Sequence, residues 1–449
     1  MSLSNETQSV ENKELPFSPD EFEDLAESVY DLIEEYINDN VLTMSKPNFK
    51  DTMVEEVTHV IFQQLDDAEV YDDYDSLRNF VEDQVEAWFA SIVYKCPERH
   101  LEHETGNILM DYFGQEQDFT VEFITKKLET INEKDKANPP QRTPEWYKRR
   151  YNMLTASNVY QALGSEAQKN RLIFEKCKPL DTSISESKWI STEGSLHWGV
   201  KYEPLTVLMY EKMTGAKIGN FGCIQHSEYS FLGASPDGIV INPESPLYGR
   251  LVEIKNIYNR DMDGVPSEAY WVQMQLQMQC CELEACDFVE TRFEEYESEE
   301  AFNTDTNDRE KVRGIILQFI PRDSLSNIPK YEYFIADGRS MEEWIEEKKT
   351  ELPEYVIFKT HYWYLDEICM TTILRNELWF QAAIPEFTSI WDTIQKERIS
   401  GYEHRASKKR SPSIDLKVIK EGDSTTTPVP VAPEATCFVR LSEEDIYEE

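Results

Sequence analysis

Two carboxylates and an amine lie in one short segment of the sequence that has the composition of a β-hairpin. Asp237 lies in Ser-Pro-Asp-Gly, a strong turn signal, and Glu253 and Lys255 alternate with apolar residues over 251–255. On a strand, the side chains of Glu253 and Lys255 point to the same face. If Asp237 lies on the neighbouring strand, the three groups converge. Such a set either holds a magnesium ion beside a lysine or forms an ordinary surface salt bridge.

The elements that must position these residues follow from the apolar spacing on either side. Helices are predicted over 195–214, with Gly215 as the stop, and over 266–283. Three strands are expected between 221 and 259. Further predictions are strands at 286–293, 312–320 and 331–336 and helices at 340–352 and about 365–400. This order predicts an α/β (α+β) core with a mixed central sheet flanked by helices.

The first third of the chain is acidic and helical. Four stretches between 20 and 131 place apolar residues three to four apart, which is typical of amphipathic helices, and a polar linker follows them. The core is therefore preceded by an acidic all-helical domain. The predicted divisions begin with a disordered segment 1–17 and the acidic helical domain 18–135. The core 141–340, which contains Asp237, Glu253 and Lys255, follows. A helical extension of the core, 341–405, and a disordered tail, 406–449, complete the chain.

The charge and composition limit the possible partners. The 449 residues carry a formal charge of −41, but residues 1–140 carry −24 whereas 141–260 carry +3. The acidity argues against loose, non-specific DNA binding and leaves room for an end-specific site. No apolar run approaches the ~20 residues of a membrane span, and the N-terminus has no secretory pattern. With eight cysteines and no CxxC, we expect a soluble intracellular protein with reduced thiols.

Five stretches in order resemble the motifs of a known nuclease family. They include a Trp-x-x-x-Arg…Thr-Ala-Ser opening, a helical Gly…Glu motif, the two motifs described above and a Tyr…Gln helix. The matching residues are 146–157, 198–203, 235–238, 253–255 and 270–275. Together they resemble the YqaJ-type viral recombinases, the family of the lambda phage exonuclease, within the PD-(D/E)xK superfamily. The implied fold is a restriction-endonuclease-like core.

The resemblance implies a metal site. Asp237 and Glu253 would be direct ligands, the backbone carbonyl of Ile254 a third, and Glu203 would complete the acidic site from its helix. The implied ion is Mg²⁺, with Mn²⁺ as a substitute, because hard oxygen ligands suit it.

The resemblance also assigns roles around the attacking water. Lys255 would orient or deprotonate that water, and Gln273 would hold the lysine or the water from the following helix. The alternating glutamines leave Gln275 as an alternative to Gln273. His197 and His226 flank the motifs, and we interpret them as structural because the carboxylate set is already complete.

Two further residues match the family positions that bind the terminal phosphate of a DNA end. Arg150 offers a guanidinium fork and Ser157 a hydroxyl. Arg149 and Lys148 compete with Arg150 as surface charges. Thr155 or Ser157 could instead cap a helix that begins nearby.

The sequence is compatible with three functions. The resemblance implies a magnesium-dependent DNA exonuclease, acting 5′ to 3′ on linear duplexes in viral recombination, replication or repair. A structure-specific endonuclease or resolvase would use the same metal core. A non-enzymatic acidic interaction protein on a nuclease fold is the third. The implied partners are duplex DNA ends, a single-strand annealing protein and further copies of the chain in a trimeric ring, with no membrane. The expected location is the host cytoplasm or nucleus.

Overall fold

The structure, a computed structural model, describes nine stretches of the chain. They are residues 17–67, 71, 73–92, 121–140, 143–180, 195–305, 311–322, 329–336 and 338–406. The segments expected to be disordered, 1–17 and 406–449, lie outside these stretches apart from Phe17 and Ala406. The same holds for Cys96 and Cys437.

Eleven α-helices occur in the described stretches. Six begin after a Ser, Thr or Asn whose side-chain oxygen accepts a backbone N–H of the first turn, which satisfies a donor that the helix itself leaves unpaired. Within the described ranges, no helix is both long enough and apolar enough to cross a bilayer. The helices are α1 Pro19–Asn40, α2 Phe49–Asp67, α3 Tyr74–Ile92, α4 Val121–Lys136, α5 Pro144–Tyr151, α6 Glu166–Cys177, α7 Ser195–Thr214, α8 Glu268–Cys281, α9 Glu299–Thr304, α10 Met341–Glu351 and α11 Glu377–Ser400.

Ten strands of the described residues form two sheets. The larger sheet has the order β2-β5-β6-β7-β10-β8-β9, in which only the β6–β7 pair is parallel, and the smaller has the order β1-β4-β3. The mixed sheet flanked by helices confirms the predicted fold class. The strands are β1 Leu154–Thr155, β2 Ile218–Gly219, β3 Ile224–Gln225, β4 Leu232–Ala234, β5 Gly238–Val240, β6 Leu251–Asn256, β7 Ala285–Glu295, β8 Arg313–Pro321, β9 Lys330–Ile335 and β10 Tyr355–Leu374.

The side chains of β6 alternate between two layers of the core. Val252 and Ile254 pack with Tyr210 of α7 on one face of the sheet. Leu251 packs with Met274 of α8 on the opposite face. The odd-numbered positions of β6 therefore face α8, and the even-numbered positions face α7.

Helices α1 to α3 have an apolar core of their own. It contains fully buried Val29, Ile33, Met53, Leu77 and Val81. A short 3₁₀ helix, Val41–Ser45, joins this three-helix region to the rest. Its side chains at 41 and 44 pack on the cluster around α11, and its last serine donates to Glu268 of α8 at 3.1 Å.

Helix α4 packs on the sheet. Leu128 and Ile131 are buried beside Ile239 of β5 and Phe288 of β7. A salt bridge joins Lys127 to the residue that follows α8, Glu282. The last helix predicted for the acidic region thus shares its core with the sheet.

Strand β10 stands where the sequence predicts a helix. A helix is predicted over about 365–400, but Tyr355–Leu374 is the longest of the ten described strands, lies between β7 and β8, and is followed by α11 from Glu377. Its register shifts between Ile357 and Lys359 and again between Leu365 and Glu367. Each shift breaks the period-two alternation by which a strand is recognised in a sequence. The segment 341–405, expected to be helical, therefore supplies a central strand.

Candidate active site

Asp237 lies opposite Glu253 because of the β5–β6 register. The strands are antiparallel, Gly238 faces Val252, and Asp237 comes immediately before β5. The Asp237 Oδ2 atom accepts a hydrogen bond from the backbone N–H of Ile254 at 2.8 Å. The glycine at 238 is required by crowding, because a Cβ there would lie 2.3 Å from a side-chain carbon of β2. The turn thus fixes one carboxylate beside the other.

Lys255 completes the group that the sequence predicts to converge. Its Nζ atom lies 2.7 Å from Glu253 Oε1 and 4.4 Å from the centre of the Tyr270 ring. The side chain of Lys255 is 22% exposed, whereas that of Glu253 is 1% exposed. Burial by itself lowers the pKa of Lys255, but the charges of Glu253 and Asp237 outweigh burial and raise it. The ammonium is therefore held in its charged form.

Two glutamines of α8 donate hydrogen bonds to the buried carboxylate of Glu253. The side-chain amide of Gln273 donates to Glu253 Oε1 at 2.7 Å, and that of Gln277 donates to Oε2 at 2.6 Å. Gln275, the alternative in the sequence, instead donates to the backbone carbonyl of Leu374. Gln277 is not among the predicted site residues, although a spacing of four places it on the same helix face as Gln273.

Glu203 influences the site through its negative charge. It is exposed on α7, and its negative charge contributes to raising the pKa of Asp237, less than burial and the charge of Glu253 do. Helix α7 is anchored to the end of β6, where Asn256 donates to the backbone carbonyl of Gly199 at 3.2 Å. Thr206 donates to the Asn256 side-chain oxygen at 2.7 Å.

The donor set matches the preference of magnesium for oxygen. Burial and the neighbouring carboxylate charges raise the pKa of Asp237, so a cation at this position would relieve repulsion among Asp237, Glu253 and Glu203. Magnesium accepts one or two protein carboxylates and keeps several waters. Throughout the described stretches, no three His, Cys, Asp or Glu side chains are already arranged as a metal cage. Two carboxylates with a third acidic side chain nearby are nevertheless a donor set of the kind that magnesium takes.

Arg150 lies in a basic surrounding at the end of α5. Its guanidinium stacks on Trp146 at 4.7 Å, and its backbone carbonyl accepts from Lys176 at 3.0 Å. Burial, with the charges of Arg150 and Arg398, lowers the pKa of Lys176 to about 8. Arg149 is half-buried, with an Nε atom that has no partner in the described stretches. Positive charge is therefore concentrated here.

Ser157 is exposed and lies 3.2 Å from the Thr155 hydroxyl. The expected helix start is a 3₁₀ helix, Val159–Ala162, with Asn158 at its N-cap, so neither Thr155 nor Ser157 caps it. Strand β1 pairs in parallel with β4, which leads directly to the Ser-Pro-Asp-Gly turn. The segment that carries Ser157 therefore lies beside the strand that delivers Asp237.

The two histidines near the motifs have structural partners. The His197 ring bonds to the hydroxyl of Tyr331. His226 Nδ1 accepts from the backbone N–H groups of Glu228 and Tyr229, each at 3.1 Å. Both rings therefore stabilise local backbone and side-chain packing.

Comparison with known proteins supports the motif analysis. The model of the YqaJ-like viral recombinase domain matches residues 145–284. An uncharacterized protein of Acanthamoeba polyphaga mimivirus is 27% identical over 293 residues, a match that covers 57% of this chain and 52% of the relative. The chain thus spans about half the length of that relative. The domain match confirms the resemblance that the five stretches indicate.

Similar solved structures include two exonucleases. An alkaline exonuclease from Laribacter hongkongensis is 20% identical, with 57% of this chain and 94% of that chain covered and a TM-score of 0.33, and it has also been solved with dAMP. A phage-related exonuclease from Haemophilus somnus is 14% identical, with 57% and 96% covered and a TM-score of 0.27.

Proposed function

We propose that this protein is a magnesium-dependent DNA exonuclease that begins at the ends of linear duplexes. One observation carries the proposal: Asp237, immediately before β5, lies opposite Glu253 of the paired strand β6, with the Lys255 ammonium 2.7 Å from Glu253. A surface salt bridge would not need a fully buried carboxylate held by two amides, because burying a charge is costly. The matched recombinase domain, 145–284, contains all of these residues.

The metal would be held by the acidic set. Asp237, Glu253 and the carbonyl of Ile254 are the proposed ligands, and Glu203 would complete the site directly or through water. When bound, magnesium supplies charge neutralisation at the phosphate and an acidified water near neutral pH.

The chain's own groups would prepare the phosphate and the water. The pKa of Lys255 is raised, so the ammonium remains protonated, donates hydrogen bonds and offsets the negative charge that develops on the phosphate. Gln273 and Gln277 hold both oxygens of Glu253, which fixes the direction of its lone pairs. The Tyr270 ring beside the ammonium limits its movement.

Recognition of an end requires a group that interior DNA lacks. A terminal phosphate offers extra charge and extra acceptor oxygens. We assign its binding to the Arg150 guanidinium and the Ser157 hydroxyl, with Lys176 adding charge nearby. Digestion from the 5′ end and assembly into a trimeric ring belong to the same proposal.

The test compares DNA forms. Full-length protein is incubated with a 5′-labelled linear duplex, the same duplex labelled at the 3′ end, and a covalently closed circle, each with Mg²⁺ or with EDTA. The expected result is early release of the 5′ label as mononucleotide, late release of the 3′ label, resistance of the circle and no cleavage in EDTA. Gel filtration of the same preparation checks the ring.

Two outcomes would reject the proposal. Rapid cutting of the closed circle would favour an endonuclease or resolvase. Intact DNA in every reaction, with Mn²⁺ as well as Mg²⁺, would favour a non-enzymatic interaction protein.

A further inference from the structure

The loop after β6, residues 257–267, is fixed against the sheet beside Lys255. The backbone N–H of Ile257 donates to Thr291 of β7 at 2.7 Å, so the extended pairing continues beyond the strand. Gly264 has a φ of 73°, and a Cβ there would lie 2.7 Å from the sulfur of Cys369 on β10. The loop is therefore held at both its beginning and its end.

This loop presents a guanidinium that a buried carboxylate anchors. Arg260 donates from Nη2 to Glu290 Oε1, and its side chain is 43% exposed, whereas Glu290 is fully buried. Glu290 pairs in register with Lys255, so both side chains lie on the same face of the sheet. Glu290 Oε2 is buried and has no partner among the described residues. A buried charge of this kind is expensive to keep, which favours a functional reason for holding Arg260 here.

The same loop presents an exposed aromatic ring. Tyr258 is 61% exposed, although it lies only three residues after Lys255. Its ring meets Trp198 of α7 at an angle of 71°, with the centroids 5.1 Å apart. This edge contact fixes the orientation of the ring.

We propose that Tyr258 and Arg260 form a platform for an unpaired DNA strand, on which the ring stacks on a base and the guanidinium binds a neighbouring phosphate. An exposed aromatic ring and a cation presented by one loop are a combination that binds single strands without sequence preference. Glu290 is a positioning residue that holds Arg260. The inference rests on the proposed function, since the strand on the platform is the one that enters or leaves the cleavage site.

The test measures binding without cleavage. Fluorescence anisotropy of a labelled 12-nucleotide oligothymidine is recorded with full-length wild type and variants in EDTA, over a range of salt concentrations. Tyr258→Ala should weaken binding by about fivefold or more, while Tyr258→Phe keeps the wild-type affinity. Arg260→Ala should weaken binding and lower the salt slope by about 1. Phe358→Ala, at an equally exposed aromatic on β10, is the matched control and should change nothing.

A double-mutant cycle tests Glu290. Glu290→Gln keeps the shape of the side chain and should reduce the salt slope as far as Arg260→Ala does, and the double variant should lose nothing more. Additive losses of binding in the double variant would show that Glu290 does not act by positioning Arg260.

The binding assay separates this inference from the proposed function. Wild-type affinity in both Tyr258→Ala and Arg260→Ala, or no binding of the oligothymidine by wild type, would overturn the platform even where linear DNA is digested with Mg²⁺. Weakened binding in those variants supports the platform even where no DNA form is cleaved.

Discussion

The three-helix region and the sheet region stabilise themselves in different ways. Among the described residues of α1 to α3 and the 3₁₀ helix between α1 and α2, two polar side chains are buried, Thr58 and Ser45. Neither is charged. The sheet region buries Lys201, Glu253 and Glu290, each with a charged partner. Buried ion pairs gain little stability over apolar packing, so their concentration in one region indicates that the region's task requires them. The three-helix region is held by apolar burial and carries its charges outside.

The largest effect expected from this difference is the loss of cleavage on neutralising Glu253. Glu253→Gln should lower the single-turnover rate on linear duplex by about 10²–10⁴, because one charged group at the reacting phosphate contributes that much. The matched control is Glu55→Gln in α2, an exposed carboxylate whose partner is Arg78. That change should leave the rate unaltered. Near-normal cleavage by Glu253→Gln would remove the assignment, and thermal melting checks that both variants fold.

A pair of leucine truncations sharpens the boundary between the regions. Leu77 is fully buried in the three-helix core, and Leu128 of α4 is buried against the sheet. Each change to alanine should destabilise its own region by about 2–5 kcal/mol. Hydrogen exchange should show faster opening of α1 to α3 in Leu77→Ala and of β5 and β6 in Leu128→Ala. Faster opening of α1 to α3 in Leu128→Ala would instead assign α4 to the acidic region.

A smaller effect is expected at the basic end of α5. Arg150→Ala should slow digestion of 5′-phosphorylated duplex by about 10-fold or more, which corresponds to roughly 1.5–3 kcal/mol for a charged hydrogen bond. Ends without the phosphate should be digested at the wild-type rate. Arg78→Ala, the matched arginine in the three-helix region, should behave as wild type on both ends. Equal slowing on both ends would make Arg150 a general backbone contact.

The smallest expected effect is a pH dependence from Lys176. Burial, with the charges of Arg150 and Arg398, lowers its pKa from 10.5 to about 8. Between those values the unfolded chain binds the proton and the folded chain does not, so the free energy of unfolding rises with pH in this window. Lys176→Met should remove that part of the rise in urea titrations between about pH 8 and 10.5. An identical slope in wild type and variant would show that the pKa of Lys176 is not lowered.

The sequence predicted the parts that depend on local periodicity. Helix α7 begins and ends where its pattern and the glycine at 215 indicate, and that glycine has a φ of 70°. The opposition of Asp237 and Glu253 follows from a turn signal and a period of two. Strand β10 was missed because two register shifts break its alternation, although its many β-branched and aromatic residues favour a strand.

Other features depend on tertiary contacts that no local pattern contains. The amphipathic pattern of α4 does not specify which core buries Leu128, and the sheet does so. Glu290 and Arg260 are thirty residues apart and meet only because β7 lies beside β6. Gln277 could have been found, since its spacing of four from Gln273 places both on one face of α8.

The position of β10 has a consequence for how the chain folds during synthesis. Helices α1 to α3 are contiguous, so their core can close while later residues are still being added. The larger sheet cannot, because β7 and β8 are joined only through β10, which ends at Leu374. Until that strand emerges, β7 presents an unpaired edge of eleven residues to other chains. The sheet is thus the late and aggregation-exposed part of the molecule, and slower elongation between β7 and β10 should lower the yield of folded protein.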